Sequence, residues 1–305
     1  MSSPAKNNGS PVSEAVLERD GLILRAGVYG DSAAPVALLV HGFPDTPHSW
    51  DAVVPRLVAG GYRVVVPWLR GYTAESVNPN ARYDIPTVAS DLIAWQEWAG
   101  GEPVHLIGHD WGSVAATIAV KKSPERWRSV SLLAVPPMGG RAMSAAILRA
   151  VPRQLVMSSY MLVMQSGLSP RLLARNDAAF VRWLWRRWSP TWDFTDADFA
   201  PTREVFVDKE RGWATTRYYR SIFTPNRAYT REFMRLAQAD YPVQVPTLSL
   251  AGENDGCMSA AFHTAMNQLH PQIDAVLLPG CGHFLHAEKP AVVADEMLKH
   301  LGRHS

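Results

Sequence analysis

The 305-residue sequence predicts a protein of the α/β class, with a mostly parallel central sheet flanked by helices and an inserted helical lid. Short runs rich in Val, Ile, Leu and Ala alternate with longer amphipathic stretches, which is typical of parallel strands connected by helices. This alternation stops between Val135 and Val245. Roughly a hundred residues there show helical patterning without a buried-strand run, which indicates an insertion in one domain.

The strands of the sheet are predicted from the apolar runs. A short run at residues 22–25 indicates part of an antiparallel hairpin that opens the sheet. Six further runs are candidates for buried strands, at residues 36–40, 64–66, 104–107, 130–135, 245–250 and 275–278. We therefore expect the core to comprise residues 15–135 and 243–305, preceded by a flexible tail of residues 1–14.

The predicted lid extends over residues 136–242. Proline and glycine residues mark its beginning, and Pro225 and Pro242 lie near its end. Five of the eleven tryptophans fall within it. Trp185 and Trp188 share a helical face with Val181, which predicts an amphipathic helix that packs the lid against the core.

Composition excludes several classes of partner. A net charge of +2 with 47% hydrophobic residues gives no field that would select nucleic acid or an anionic membrane. No apolar run approaches the roughly 20 residues that span a bilayer, and the first residues contain no apolar signal segment. Two cysteines cannot build a disulfide framework. We expect a cytoplasmic protein that acts on a neutral small molecule, and the sequence is compatible with a homodimer.

The segment Gly108-His109-Asp110-Trp111-Gly112 has the form of a nucleophile elbow between a strand and a helix. Two glycines allow a tight turn, and the residue between them projects above the sheet edge. An aspartate at this place forms an ester of itself by attacking an electrophilic sp3 carbon, whereas a serine would take an acyl group. Asp110 is therefore the predicted nucleophile.

A second motif, His41-Gly42-Phe43-Pro44-Asp45, directly follows the predicted strand at residues 36–40. A loop in this position supplies a backbone N–H to an oxyanion hole, together with the N–H of the residue after the nucleophile. The predicted donors are Phe43 and Trp111.

Hydrolysis of an aspartyl ester requires a base, and a histidine base requires an acid partner. His283 lies in a glycine-rich turn after the last predicted strand, which is the usual place of that base. His286 is the nearby alternative and is interpreted as structural. Asp255 is the predicted acid because it follows the strand at residues 245–250, and Glu253 is the alternative to it.

These four motifs together resemble the epoxide hydrolases of the α/β-hydrolase fold, over residues 21–301. The resemblance implies two lid tyrosines that polarise the epoxide oxygen. Tyr160 resembles the first and Tyr219 the second, with Tyr218 as a competitor for the second role.

The resemblance implies that an epoxide is opened to a vicinal diol, and the five lid tryptophans indicate an apolar or aromatic substrate. The reaction uses water, and it needs no cofactor and no metal. We expect four residues near the motifs and in the lid to contact the substrate: His41, Pro44, Trp185 and Phe284.

Two alternatives stay open at this stage. A haloalkane or haloacid dehalogenase uses the same aspartyl ester, but Phe43 occupies a place where haloalkane dehalogenases carry a donor amide. No arginine follows Asp110 as it does in fluoroacetate-type enzymes. A binding protein could keep the fold and pocket without turnover, and tight ligand binding without diol formation would distinguish it.

Overall fold

The computed structural model describes residues 11–139, 152–224, 227–242 and 244–305. Within them, eight strands form one sheet in the order β1-β2-β4-β3-β5-β6-β7-β8. β1 and β2 form an antiparallel hairpin, β2 pairs antiparallel with β4, and the remaining neighbours are parallel. The strands are β1 Ser13–Arg19, β2 Leu22–Tyr29, β3 Val36–Val40, β4 Arg63–Pro67, β5 Val104–His109, β6 Trp127–Leu133, β7 Thr247–Gly252 and β8 Asp274–Leu278. The predicted α/β fold with a mostly parallel sheet is confirmed.

Most strands differ from the predicted runs by a few residues, and three of these differences affect the ends of the predicted core segments. β1 begins at Ser13, so two residues that we placed in the tail belong to the sheet edge, where Ala15 is buried opposite Ala26. β6 ends at Leu133, because Ala134 turns the chain with a φ of 66°. β7 begins only at Thr247, after a proline that has no N–H to give to a ladder. The first ten residues of the predicted tail lie outside the described residues.

Helices cover both faces of the sheet and form the insertion. They are α1 Val54–Ala59, α2 Ile85–Trp98, α3 Trp111–Lys122, α4 Tyr160–Gln165, α5 Ser169–Trp188, α6 Asp196–Phe206, α7 Lys209–Phe223, α8 Ala228–Gln238, α9 Ala260–Leu269, α10 Leu285–Glu288 and α11 Pro290–Arg303. Residues 152–157 are also helical. None of the described helices is long and apolar enough to cross a membrane.

Alternate residues of the central strands β3 and β5 enter two different hydrophobic cores, because successive side chains point to opposite faces of a sheet. Leu38 and Leu106 pack in one core, which also contains side chains of α2 and α3. Leu39 and Ile107 pack in the other, which contains Met297 of α11. The central strands β3 and β5 are therefore held from both sides, which fixes the positions of the loops that follow them.

The described residues between β6 and β7 are helical or irregular and contain no strand. α5 is kinked over Arg175–Ala178, where Asn176, Asp177 and Ala178 have positive φ values. After the kink, Trp185 and Trp188 are buried while Trp183 is 49% exposed, in agreement with the predicted amphipathic face. The Trp185 indole packs on Trp192 and Phe284, with ring centroids 5.2 and 4.8 Å away. Aromatic contacts of this kind each stabilise a fold by about 1 kcal/mol.

Candidate active site

Asp110 occupies the turn between β5 and α3, with a strained backbone conformation (φ 50°, ψ −116°). A Cβ atom on Gly108 would lie 2.5 Å from the carbonyl carbon of Gly112, so helix and strand can cross this closely only with glycine there. The carboxylate is 5% exposed and lies at the N-terminus of a 12-residue helix. A helix N-terminus stabilises negative charge, and the turn holds the carboxylate in one orientation.

One carboxylate oxygen of Asp110 is held by the backbone of the loop after β3. The N–H of Phe43 donates to Asp110 Oδ1 at 2.8 Å. Trp111 is the first residue of α3, so its N–H has no acceptor within the helix. The structure thus places the Phe43 N–H on Asp110 Oδ1, and the N–H of Trp111 follows the nucleophile directly in the chain. The second carboxylate oxygen, Oδ2, accepts no hydrogen bond from this loop.

The predicted base and acid meet on the other side of the carboxylate. His283 Nδ1 lies 2.8 Å from Asp255 Oδ2, and His283 Nε2 lies 3.6 Å from Asp110 Oδ2. Asp255 Oδ1 accepts the backbone N–H groups of Cys257 and Met258 at 2.6 and 2.8 Å. Asp255 is therefore fixed with one oxygen aimed at the imidazole, whereas Glu253 is exposed. The structure brings together Asp110, His283 and Asp255.

The charge state of His283 depends on the nucleophile. Burial lowers its pKa, but the carboxylates of Asp255 and Asp110 outweigh burial and raise the pKa to about 10. The free protein at neutral pH thus carries an imidazolium beside the Asp110 carboxylate. Because an ester at Asp110 would remove one of these two negative charges, the pKa of His283 falls when the ester forms.

Tyr160 and Tyr219 approach each other above the nucleophile loop. Their hydroxyl oxygens are 3.4 Å apart, and the ring of Tyr219 packs edge-on against Trp111. Burial raises the pKa of both phenols well above the usual value, and the charge of Asp110 adds to this. Both therefore remain protonated and can donate hydrogen bonds. Tyr218 is turned away, since its hydroxyl donates to the Arg70 carbonyl at 2.7 Å.

A largely apolar cavity of about 550 Å³ opens beside Asp110. Tyr160 contributes its phenol, and Cys257 contributes a thiol to the wall. Much of the remaining wall is apolar or aromatic, including Trp111, Met161, Phe233 and Phe262. This volume fits a small molecule, and Asp110 is the single carboxylate among the lining residues.

The four residues that we expected to contact the substrate are buried, and none is among the lining residues of this cavity. His41 Nε2 accepts the Leu69 N–H at 3.1 Å. The Pro44 carbonyl accepts the Trp185 indole N–H at 2.7 Å, and Phe284 packs on Trp185. Their places beside the motifs are explained by packing, because they fix the loops and attach the insertion to the core.

A buried polar cluster lies behind the nucleophile and was not predicted. Asp45 Oδ2 is 3.5 Å from His109 Nδ1 and 3.7 Å from His286 Nε2. His109 Nε2 faces the carbonyl of His283 at 3.1 Å. Burial raises the pKa of Asp45, but the two histidines outweigh it and hold that pKa well below its usual range. This position agrees with the structural interpretation of His286, but the spacing of the motifs gave no signal that His109 and His286 share one carboxylate.

Two groups of described side chains have donor atoms close enough to hold a metal ion, within 4.8 Å of one another. One is the buried cluster Asp45, His109 and His286. The other combines Asp110 and His283 with Cys257. Attack by a carboxylate and activation of water by an imidazole require no metal ion.

Comparisons with known proteins agree with this architecture. Residues 35–290 match the sequence profile of the family described as alpha/beta hydrolase fold. Epoxide hydrolase A of Mycobacterium tuberculosis is 29% identical over 96% of this chain and 98% of its own length. A solved structure from Klebsiella pneumoniae superposes with a TM-score of 0.81 at 21% identity, over 97% of this chain and 99% of the other. The structure of Epoxide Hydrolase A from Mycobacterium thermoresistibile superposes with a TM-score of 0.74 at 25% identity, over 95% of this chain and 98% of the other.

Proposed function

Because this chain belongs to the alpha/beta hydrolase fold family, we propose that it is an epoxide hydrolase whose intermediate is an ester on Asp110. One observation carries the proposal: an aspartate occupies the nucleophile elbow, and the protonated phenols of Tyr160 and Tyr219 lie 3.4 Å apart at the same site. The relatives named epoxide hydrolase support it. Every protein group that the proposed mechanism uses is a side chain or a backbone amide of this chain.

The first step is alkylation of the enzyme. Asp110 Oδ2 attacks an epoxide carbon, the C–O bond of the ring breaks, and its electron pair moves to the oxygen. That oxygen takes a proton from Tyr160 or Tyr219. The ester neutralises Asp110, so His283 becomes more acidic and returns a proton to the phenolate.

The second step is hydrolysis. Neutral His283 removes a proton from water, and the hydroxide attacks the carboxyl carbon of the ester. Negative charge develops on Oδ1, where the N–H groups of Phe43 and Trp111 stabilise it. The tetrahedral intermediate collapses by breaking the bond between the carboxyl carbon and the diol oxygen. That oxygen takes the proton of the new carboxyl group, so the Asp110 carboxylate is restored beside the His283 imidazolium.

We infer a neutral, apolar epoxide as substrate, because the cavity wall is largely apolar and its single carboxylate would repel an anion. Part of the wall is aromatic and suits an aryl or long alkyl substituent. A cytoplasmic location and a homodimer remain predictions of the sequence alone.

The proposal is tested with a panel of aryl and alkyl oxiranes in water enriched in oxygen-18. We expect diol formation, and in a single turnover we expect the heavy oxygen in the Asp110 peptide and not in the diol. This follows because the diol receives the old carboxylate oxygen, while water adds to the carboxyl carbon. A diol labelled in the first turnover would show direct attack of water on the epoxide.

Replacement of Tyr219 by phenylalanine is expected to slow alkylation by about 10²-fold, since loss of one donor to a developing oxyanion has about this effect. Tyr160→Phe should act in the same direction. The rate is measured under single-turnover conditions from the loss of epoxide.

Tyr218→Phe is the matched control, because the Tyr218 hydroxyl donates a hydrogen bond to the Arg70 carbonyl and not to the site. This variant should lose about 1 kcal/mol of stability and keep its rate of alkylation. A rate loss in Tyr218→Phe as large as that in Tyr219→Phe would contradict the assignment of the lid donor.

A further inference from the structure

The Cys257 thiol faces the cavity and takes part in no step of the mechanism. Cys257 is 4% exposed, and its Sγ atom lies 3.7 Å from the Tyr160 hydroxyl. The loop that carries Asp255 brings it there, since the backbone N–H of Cys257 donates to Asp255 Oδ1. Its sulfur lies within 4.8 Å of donor atoms of both Asp110 and His283. A soft ligand is thus added to the carboxylate and the imidazole.

Each of the other two groups has one donor atom already engaged and one directed to its neighbour. Asp110 Oδ1 accepts from Phe43, which leaves Oδ2, and His283 Nδ1 is bonded to Asp255, which leaves Nε2. His283 Nε2 is buried without a hydrogen-bond partner among the described residues. A carboxylate that orients a histidine through its other nitrogen is the usual second shell of a metal-binding histidine.

The spacing of the three atoms suits a small tetrahedral cation. Zn²⁺ binds sulfur at about 2.3 Å and nitrogen or oxygen at about 2.0–2.2 Å, which places neighbouring ligands roughly 3.4–3.6 Å apart. Asp110 Oδ2 and His283 Nε2 are 3.6 Å apart, so these two ligands already have the separation that Zn²⁺ requires. The sulfur lies within 4.8 Å of the other two donor atoms, so it would have to approach them by no more than about 1 Å. The cavity leaves the fourth position to water.

We propose that Asp110, Cys257 and His283 form an inhibitory site for Zn²⁺. The bound ion would replace the thiol proton of Cys257 and the Nε2 proton of the His283 imidazolium, and both protons pass to solvent. It would then occupy both the nucleophilic oxygen and the base nitrogen. Turnover would stop until a chelator removes the ion. The binding site stands independently of the proposed function, and only the inhibition of diol formation rests on it.

The test compares the wild-type protein with Cys257→Ser, Cys257→Ala and the matched control Cys281→Ser. Cys281 is also buried but is not part of either potential metal-binding group. Zinc affinity is measured by competition with a chromophoric chelator, and diol formation is measured relative to each variant's own rate without zinc. Thermal unfolding verifies that each variant is folded.

We expect the wild type and Cys281→Ser to bind one Zn²⁺ and lose activity in parallel, with recovery on addition of EDTA. Both Cys257 variants should bind at least about tenfold more weakly, because even second-shell changes cost this much. Equal zinc affinity in the Cys257 variants and the wild type would overturn the proposal. Loss of zinc binding in Asp45→Asn would also overturn it, because the cluster of Asp45, His109 and His286 contains no thiol. If the wild type bound zinc through Cys257 but formed no diol from any epoxide, the proposed function would be refuted and the zinc site would stand.

Discussion

Asp110→Ala is expected to abolish diol formation, with kcat reduced by at least about 10⁴-fold, because removal of a nucleophile that forms a covalent intermediate leaves only binding and the oxyanion donors. The helix N-terminus and the Phe43 N–H would remain, but they would have no carboxylate to orient. The measurement is the initial rate of diol formation at saturating epoxide.

The control for Asp110→Ala is Asp193→Ala, which removes an exposed aspartate of the insertion and should retain the wild-type rate. Thermal unfolding of both variants separates loss of chemistry from loss of fold. Turnover of Asp110→Ala close to the wild-type level would show that another group attacks the substrate, and the ester mechanism would have to be abandoned.

His283→Gln is expected to trap the ester on the enzyme. Ring opening needs Asp110 and the two phenols, and His283 gives its proton to the phenolate only after the C–O bond has broken. Hydrolysis needs the imidazole as its base, so this step should slow by about 10²–10⁴-fold and ring opening much less. Intact-mass measurement should show a gain equal to the whole epoxide, and peptide mapping should place it on Asp110. An alkyl gain without halogen, after exposure to a haloalkane, would favour a dehalogenase.

The pH dependence of ester decay tests the assignment of His283 as the base. In the free protein the pKa of His283 is raised to about 10 by two carboxylates, and the ester removes one of them. Since only the neutral imidazole accepts a proton, wild-type ester decay should accelerate with rising pH and level off below pH 10. Decay in His283→Gln should lack this inflection. An inflection in the wild-type ester at the same pH as in the free protein would contradict the coupling.

Much of the site could be predicted because its parts lie where parallel strands end. Phe43 follows β3, Asp110 follows β5, and these two strands are neighbours in the sheet. Residues at the same edge of a parallel sheet are brought together by the strand order alone. The acid loop and the histidine turn follow the adjacent strands β7 and β8, which explains why spacing along the chain was enough to select them.

The insertion was harder to predict, because helical periodicity indicates which side of a helix is buried but not which element packs against that side. Tyr218 and Tyr219 are consecutive on α7, and only the packing of this helix shows which hydroxyl meets Tyr160 and which meets the Arg70 carbonyl. Trp185 suggested a substrate contact by its size and position. Its indole N–H instead satisfies a backbone carbonyl of the loop after β3, a bond that no sequence pattern encodes.

That hydrogen bond between Trp185 and Pro44 links the position of the insertion to that of the nucleophile. It joins the insertion to the oxyanion loop amid stacked aromatic rings, so opening there would disturb the Phe43 amide that holds the nucleophile. In the cavity wall, Leu155 and Phe223 are 66% and 57% exposed. The catalytic carboxylate is thus tied to the insertion through the oxyanion loop, while the wall of its cavity reaches solvent at these two side chains.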